Sequence, residues 1–541
     1  LNYQWSSNIV SILINLGIRD FCISPGARNT PIIYDIVRRK KLFCISVHDE
    51  RNCGYFSLGI SKLTNKPTVI VTTSGTAVAN LLPSIVEAYY SMTPLIILTA
   101  DRPSELIGTG SNQTINQTSI FGSFVKLNIN LDNPSTLKVD SLINVISEDI
   151  IQVNGPVHIN IPLFEPSIPP LYKESTIHYK DRPNRTIISN KSFQSLSINS
   201  KCIIVVGPLV HSKVQQKIVE LADTIGAVIF ADPLSNIVND KDRDFILPSY
   251  ELLLDLIDIN PNIVIRFGTK PISKILNKKL EQWKSMTHLV QATPRFNDDA
   301  NNIIECDPIV FCENLIIKNK KYIKKWYTQL VRSQRLISDV IYKKNKFSIP
   351  CFVRNTQESM DRDGLLFLGN SSIVRDFVRY GDNKKTNYIS IGNRGASGID
   401  GVLSTALGAA SHGKGKNILV IGDMSFLYDL NALQVTTECD INLVIVVINN
   451  RGGQIFNRLD LSSINKASFD RYWKTSHNKK FEDIARFHGV GYKQIDHISE
   501  YSAAIRKNLD EGGINIIELT LDDKMVSRYN DSLEKDIASL F

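Results

Sequence analysis

The chain has 541 residues, of which 43% are hydrophobic and 21% are charged, and its formal net charge is +8. This length predicts three or four domains that each bury a core, and the composition is typical of a globular protein. No apolar run approaches the ~20 residues that cross a bilayer, and the N-terminus does not read as a secretory signal. The eight cysteines lack metal-ligand spacing, which favours reduced thiols and a cytoplasmic location. The basic residues are scattered, so we expect neither nucleic acid binding nor membrane insertion.

In the first two parts of the chain, Val- and Ile-rich runs alternate with helical patterns. In region 1–180 strands are predicted at 21–24, 43–47, 68–72, 95–99 and 157–161. A polar, proline-containing stretch, 164–200, is predicted to be a linker. In region 198–345 strands are predicted at 202–206, 227–230, 263–267 and 288–291, followed by a lysine-rich helix at 318–347. This alternation predicts doubly wound parallel sheets, an α/β fold.

The last region, 350–541, contains the most informative motif of the chain. Its predicted strands are 365–370, 417–421, 443–448 and 515–519. Asp423 and Asn450 each follow one of these strands and are 27 residues apart, about one strand–helix–strand unit. Both should therefore lie at the carboxyl ends of neighbouring strands, where open α/β sheets bind ligands. A carboxylate, an amide oxygen and the Gly452 carbonyl suit Mg²⁺ shared with a diphosphate, so these three residues are the predicted metal ligands.

Polar residues also follow the strands of the first region. The segment Ser24-Pro25-Gly26-Ala27-Arg28-Asn29-Thr30-Pro31 follows a strand and is expected to open a helix, which gives an anion site that includes Arg28. Glu50 is expected at a strand end and in the first turn of a helix. Arg102 closes another strand, and Gln113 lies on a polar loop shortly after it. We expect these groups to line a cleft.

Taken in order, these segments resemble one enzyme family. Ser-Pro-Gly-Ala-Arg-Asn-Thr-Pro, His-Asp-Glu-Arg, Thr-Ala-Asp-Arg-Pro, Asn-Gln-Thr-Ile and Asn-Asn-Arg-Gly-Gly-Gln-Ile-Phe resemble the thiamine diphosphate-dependent synthases of menaquinone biosynthesis. Those synthases make 2-succinyl-5-enolpyruvyl-6-hydroxy-3-cyclohexene-1-carboxylate. The resemblance runs from Ser24 to about His477. The chain departs from the family pattern at Ala27, often Ser in the family, at Met424, where the Gly-Asp-Gly signature has its second Gly, and at Tyr428, often His.

The resemblance implies three doubly wound parallel-sheet domains of the thiamine diphosphate-enzyme type. They would be a pyrimidine-binding domain (1–180), a middle domain (198–345) and a diphosphate- and metal-binding domain (350–541). It implies thiamine diphosphate and Mg²⁺ or Mn²⁺ as cofactors, and decarboxylation of 2-oxoglutarate followed by 1,4-addition of the succinyl unit to isochorismate. It also implies a homodimer or homotetramer with active sites at the subunit interface.

The resemblance also assigns individual residues. Glu50 would contact the aminopyrimidine ring and activate the cofactor. Arginine binds a carboxylate through two charge-assisted hydrogen bonds, which suits two dicarboxylate substrates. The implied catalytic and substrate residues are Glu50, Arg28, Arg102, Gln113, Ser371, Arg375 and Arg394. The implied cofactor-binding residues are Glu50, Ser397, Ile399, Gly422, Asp423, Met424, Ser425, Asn450, Gly452, Gln454, Ile455 and Phe456.

Two alternatives remain open from the sequence. One is another thiamine diphosphate enzyme, such as an acetohydroxyacid synthase or a 2-oxoacid decarboxylase. Such enzymes use monocarboxylate substrates, which should not need so many arginines in the cleft. The other is a non-catalytic protein that binds thiamine diphosphate. The presence of Glu50, Asp423 and Asn450 argues against it, because a sensor has no need of the cofactor-activating carboxylate.

Overall fold

A computed structural model of the chain shows three parallel β-sheets with helices between their strands. The structure describes residues 1–134, 146, 150, 153–166, 201–209, 212–237, 243–292, 298, 300–315, 324–343, 348–361, 363–382, 388–458, 464–521 and 523–541. The predicted linker, 164–200, lies outside the described residues except for its first three positions, as do the two ends of the predicted helix 318–347.

The first sheet has six strands in the order β2-β1-β3-β4-β6-β5, all parallel. Its strands are β1 (Asp20–Ile23), β2 (Phe43–Ser46), β3 (Thr68–Thr72), β4 (Leu95–Asp101), β5 (Leu127–Asn130) and β6 (Pro156–Pro162). Every residue of β3, β4 and β6 is buried, because helices cover both faces of the sheet.

The second sheet also has six parallel strands, in the order β12-β11-β10-β7-β8-β9. They are β7 (Cys202–Val206), β8 (Val228–Ala231), β9 (Ile246–Leu247), β10 (Ile263–Phe267), β11 (Thr287–Gln291) and β12 (Asn302–Glu305). Numbered within the sheet, this is the order 3-2-1-4-5-6 of dinucleotide-binding folds.

The third sheet repeats the topology of the first, in the order β14-β13-β15-β16-β18-β17. Its strands are β13 (Leu365–Leu368), β14 (Ile389–Ile391), β15 (Asn417–Gly422), β16 (Leu443–Asn449), β17 (Gly491–Ile495) and β18 (Ile514–Thr520). The resemblance implies three doubly wound parallel-sheet domains. All three domains are doubly wound, but only the first and third share a strand order.

Amphipathic helices link the strands and bury their apolar faces on the sheets. The helices that the structure describes are α1 (Asn2–Asn15), α2 (Thr30–Arg38), α3 (Glu50–Thr64), α4 (Thr76–Ala79), α5 (Leu82–Ser91), α6 (Ser212–Ile225), α7 (Tyr250–Leu256), α8 (Lys274–Gln282), α9 (Pro308–Asn314), α10 (Lys324–Lys343), α11 (Ile349–Glu358), α12 (Ser372–Tyr380), α13 (Val402–Ala410), α14 (Asp423–Tyr428), α15 (Lys466–Tyr472), α16 (Phe481–His488), α17 (Ile498–Glu511) and α18 (Asp523–Ala538). No helix in the described parts of the chain is both long and apolar enough to cross a membrane.

The chain forms two compact units. Unit 1 contains the first sheet together with two later segments and comprises 1–185, 393–413 and 425–442. Unit 2 contains the second and third sheets and comprises 186–392, 414–424 and 443–541. The domain bounds 1–180, 198–345 and 350–541 stay a prediction.

The sequence-based strands match the inner strands of all three sheets. Most of the edge strands, β5, β9, β12, β14 and β17, were not anticipated. Strands β5 and β12 alternate half-buried and exposed residues, and three of the five residues of β17 are polar or charged. An edge strand needs no continuous apolar run, so the pattern that identifies buried strands does not find it.

Two glycines allow α3 and α13 to cross closely within unit 1. A Cβ at Gly59 would overlap the carbonyl oxygen of Thr405, and one at Gly408 would overlap that of Phe56. The backbones therefore touch where only glycine fits. Because Glu50 begins α3, this crossing ties the predicted catalytic acid to the segment 393–413.

We predict that Gly59→Ala lowers the free energy of unfolding by ~1–3 kcal/mol, since the added methyl must separate two helix backbones. Thermal unfolding of the cofactor-free protein measures this. Gly422→Ala is the matched control, because nothing lies within 4 Å of a Cβ at that position. Equal melting temperatures for the two variants would contradict the close crossing.

Candidate active site

The third sheet places the predicted metal ligands at the ends of adjacent strands. Strands β15 and β16 are parallel neighbours, and Gly422 pairs with Ile448 in their register. Asp423 is therefore the first residue beyond one strand, and Asn450 is the first beyond the other. This arrangement in unit 2 confirms the predicted strand-end geometry.

The Asp423 carboxylate is buried, with 3% of the residue exposed. Its Oδ1 accepts the Met424 N–H at 2.7 Å, and its Oδ2 accepts the Gly452 N–H at 2.9 Å. The Nε2 atom of His477 lies 3.1 Å from the same Oδ2. Burial raises the pKa of the Asp423 carboxyl, while the two N–H groups and His477 act in the opposite direction.

Backbone geometry explains which residue types occupy the positions around this carboxylate. Gly452 has φ +129°, and a Cβ there would crowd the Lys474 carbonyl, so the turn requires glycine. Met424 lies in the helical turn of α14 and does not need a positive φ, which is why methionine can replace the second glycine of the family signature. The Gln454 side chain donates to the Asn450 carbonyl at 2.7 Å and shapes the same turn.

The donor set fits a hard divalent cation. Asp423 supplies a buried carboxylate, Asn450 an amide oxygen and Gly452 a carbonyl, all at one edge of the sheet. The Gly452 carbonyl already accepts the Gln454 N–H at 2.8 Å, but a carbonyl oxygen has a second lone pair. Within the described residues, no cluster of three His, Cys, Asp or Glu side chains could hold a metal, which is expected when only one ligand is an acid.

Glu50 occupies the first turn of α3, as predicted. Asp49 caps this helix by accepting the Asn52 N–H at 3.2 Å. Glu50 is half-buried, and its Oε2 accepts a hydrogen bond from Asn80 Nδ2 at 3.3 Å. The partial positive charge at a helix N-terminus favours an acidic side chain in the first turn.

Asp429 fixes the first turn of α3 although it is far from that helix in sequence. Its carboxylate, which is fully buried, accepts hydrogen bonds from Asn52 Nδ2 at 2.7 Å and from the Ser404 N–H at 2.8 Å. Arg51 lies 3.7 Å away. Burial raises the pKa of Asp429 to about 6 despite these partners. Asp429 was not among the predicted site residues.

Two of the predicted substrate arginines lie together in unit 1. Arg28 and Arg102 are each 7% exposed. Burial lowers the pKa of the Arg102 guanidinium, and the nearby positive charge of Arg28 lowers it further. Arg28 donates to the Leu163 carbonyl at 3.1 Å and to the Glu165 carboxylate at 2.6 Å. Arg102 donates to the Ser74 hydroxyl.

A buried amide network supports the backbone at Arg102, and no pattern in the sequence indicated this network. Gln117 is 1% exposed; its Oε1 accepts the Gly75 N–H at 2.8 Å, and its Nε2 donates to Asn160 Oδ1 at 2.9 Å. Asn160 in turn donates to Asp101 at 2.8 Å, and Asp101 accepts the Arg102 N–H at 2.7 Å. The network therefore joins the ends of β3, β4 and β6.

Gln113 lies next to this network, on the exposed polar loop that was predicted. Its carbonyl accepts the Ser74 hydroxyl at 3.0 Å, and its φ of +54° is unusual for a residue other than glycine. Ser74 thus contacts both Gln113 and Arg102, so the structure brings these two predicted substrate residues together.

The predicted site residues are divided between the two units. Ser371 follows β13 and precedes α12, with φ +68°, and its carbonyl accepts a hydrogen bond from Arg375 at 2.8 Å. Unit 1 contains Glu50, Arg28, Arg102, Gln113, Arg394, Ser397, Ile399 and Ser425. Unit 2 contains Ser371, Arg375, Gly422, Asp423, Met424, Asn450, Gly452, Gln454, Ile455 and Phe456.

Two family models match the chain. Residues 5–120 match the thiamine pyrophosphate enzyme N-terminal TPP-binding domain, and residues 369–519 match the C-terminal TPP-binding domain. The first match contains β1 to β4 of the first sheet, and the second contains β14 to β17 and nearly all of β18 of the topologically equivalent third sheet. The fold, the strand-end residues and these matches define a thiamine diphosphate-dependent enzyme.

Comparison with curated relatives identifies the family within this class of enzymes. The 2-succinyl-5-enolpyruvyl-6-hydroxy-3-cyclohexene-1-carboxylate synthase of Bacillus velezensis is 33% identical over 94% of this chain and 92% of its own. The synthase of Lactococcus lactis subsp. cremoris is 32% identical over 96% and 97%, and that of Shewanella loihica is 30% identical over 96% and 95%. The chain belongs to this synthase family, which favours the main prediction over both alternatives.

Asp429 gives a pH-dependent prediction. The pKa of Asp429 is about 6 in the folded protein and ~3.9 in the unfolded chain. Between these two pH values the folded protein keeps a proton on Asp429 that the unfolded chain has released. This stabilisation is complete below pH ~4 and is lost as the pH rises through 6. It amounts to ~3 kcal/mol at ~1.4 kcal/mol per pKa unit.

Asp429→Asn cannot titrate, so the wild type should lose stability relative to this variant by up to ~3 kcal/mol between pH 4 and 7. Urea unfolding at several pH values measures the difference. A difference that does not change with pH would show that Asp429 does not titrate in this window.

Proposed function

We propose that this protein decarboxylates 2-oxoglutarate and adds the resulting succinyl unit to isochorismate, giving 2-succinyl-5-enolpyruvyl-6-hydroxy-3-cyclohexene-1-carboxylate and CO₂. The observation that carries the proposal is the buried pair Arg28 and Arg102. The Glu165 carboxylate forms an ion pair with Arg28 at 2.6 Å, which shows that this arginine can bind a carboxylate. The Glu165 side chain is 82% exposed, so a substrate carboxylate can displace it at little cost.

The cofactor's diphosphate and its cation would lie at the ends of β15 and β16. Asp423, Asn450 and Gly452 would hold Mg²⁺ or Mn²⁺, and Gly422, Met424, Ser425, Gln454, Ile455 and Phe456 would line the cofactor. When bound, thiamine diphosphate supplies the electron sink that the decarboxylation needs. The chain itself binds and orients both substrates.

Glu50 would hold its negative charge at the aminopyrimidine ring and so promote proton loss from the cofactor. Its place in the first turn of α3 is one where a helix favours a negatively charged side chain. Gln113, Ser371, Arg375 and Arg394 would bind the polar groups of the substrates alongside Arg28 and Arg102. We further propose a cytoplasmic homodimer or homotetramer with active sites at the subunit interface, as the family resemblance implies.

The function is tested with purified protein, thiamine diphosphate, Mg²⁺, 2-oxoglutarate and isochorismate. We expect isochorismate absorbance to fall, and CO₂ to be released, only when all four are present. Turnover of pyruvate with no reaction of 2-oxoglutarate would contradict the proposal and favour an acetohydroxyacid synthase or decarboxylase.

Arg28→Ala and Arg102→Ala should each lower kcat/KM for one of the two substrates, because an anion is left without its charged partner. Such a loss costs ~2–5 kcal/mol, or roughly thirty-fold and more. The affinity for thiamine diphosphate, measured by titration calorimetry, should not change. Arg39→Ala is the control, since Arg39 pairs with the buried Asp35 on α2. Loss of cofactor affinity alone in the two test variants would contradict the substrate role.

Asp423→Asn keeps the shape of the side chain but removes its charge, so affinity for thiamine diphosphate with Mg²⁺ should fall by ~100-fold. Asp232→Asn is the matched control. Asp232 is also buried and accepts two backbone N–H groups, from Leu234 at 3.0 Å and Ile272 at 2.9 Å, at the end of β8. Wild-type affinity in Asp423→Asn, measured by calorimetry, would refute the metal site.

A further inference from the structure

The loop 393–401, which joins β14 to α13, carries three of the predicted site residues, Arg394, Ser397 and Ile399. Both of its ends are fixed within unit 1. Near its start, Asn393 donates to Thr405 Oγ1 at 2.9 Å. Near its end, the hydroxyl of Ser425 donates to the Ile399 carbonyl at 2.5 Å.

The middle of this loop is held by one carboxylate, that of Glu87 on α5. Its Oε1 accepts the Gly395 N–H at 2.9 Å, and its Oε2 accepts those of Ala396 at 2.6 Å and Ser397 at 3.3 Å. Glu87 is 2% exposed, and Lys62 Nζ lies 2.9 Å from Oε1 with its own side chain 8% exposed. Hydrogen bonds to an ionised, buried acceptor are stronger than neutral ones.

The loop needs this support because its backbone adopts an unfavourable conformation. Ser397 has φ +62°, a left-handed conformation that costs a residue with a side chain ~1 kcal/mol or more. A Cβ at Gly395 would overlap the Glu87 carbonyl, so the loop lies directly on α5. Three consecutive N–H groups that point at one carboxylate fix the direction of the residues that follow them.

We propose that Glu87, with Lys62 as its counter-ion, is a positioning residue that holds the 393–401 loop in the conformation needed to bind the cofactor and substrate. The inference rests on the proposed function, which assigns Ser397 and Ile399 to the cofactor and Arg394 to a substrate carboxylate. Glu87 lies about 310 residues from the loop in sequence and was not among the predicted site residues.

A buried ion pair can also serve stability alone, and the two roles predict different results. Glu87→Gln removes the carboxylate charge that the buried Lys62 ammonium pairs with at 2.9 Å, so stability should fall. Adding Lys62→Met removes that second charge and should restore much of the melting temperature. If Glu87 positions the loop, affinity for thiamine diphosphate stays about tenfold weaker in this double variant, because the charged acceptor for the three N–H groups is still missing.

Gly395→Ala tests the same loop without changing a charge, since the added methyl must push the loop away from α5. We expect a similar loss of cofactor affinity and a raised KM for one substrate. Asp35→Asn is the control, because the buried Asp35 on α2 pairs at 2.7 Å with the half-buried Arg39, which follows that helix. It should lower the melting temperature and leave cofactor affinity unchanged.

The measurements are calorimetric titration of the full chain with thiamine diphosphate and Mg²⁺, together with thermal unfolding. Wild-type affinity in both Glu87→Gln and Gly395→Ala would overturn the inference. So would a double variant in which affinity recovers together with the melting temperature. Failure of the wild-type chain itself to bind thiamine diphosphate would instead refute the proposed function.

Discussion

The site depends on buried carboxylates that accept backbone N–H groups where the chain leaves the sheets and helices. Asp423 accepts two such groups, Glu87 accepts three, and Asp429 and Asp101 accept one each. A buried N–H without a partner costs as much as a lost hydrogen bond, and turns beyond parallel strands expose several of them. Each carboxylate satisfies these groups and fixes the direction of the residues that follow.

This constraint explains why the residues proposed to bind substrate and cofactor lie beside structural acids. Arg102 follows Asp101, whose contacts continue through Asn160 to Gln117. Glu50 begins a helix that Asp429 holds through Asn52. The groups proposed to bind substrate and cofactor are therefore held in place before any ligand binds, which lowers the entropic cost of binding.

The sequence was most informative where a residue's environment depends on its immediate neighbours. Strands β3, β4, β15 and β16 are buried on both faces, so their Val- and Ile-rich runs identified them. The edge strands β12 and β17 contain polar residues and escaped prediction, because an edge is only partly covered. The middle sheet also showed a strand order that local patterns cannot encode, since order depends on which strands pair.

The sequence by itself determined the family, the α/β class and the motif residues, because Asp423, Asn450 and Glu50 take their places from the strand or helix that each one adjoins. The tertiary structure alone decided which residues distant in sequence contact each other. Glu87 meets residues 395–397, Asp429 meets Asn52, and His477 meets Asp423 across 54 to 377 positions of the chain. Such contacts are set by helix crossings and sheet packing, so no local pattern of residues records them.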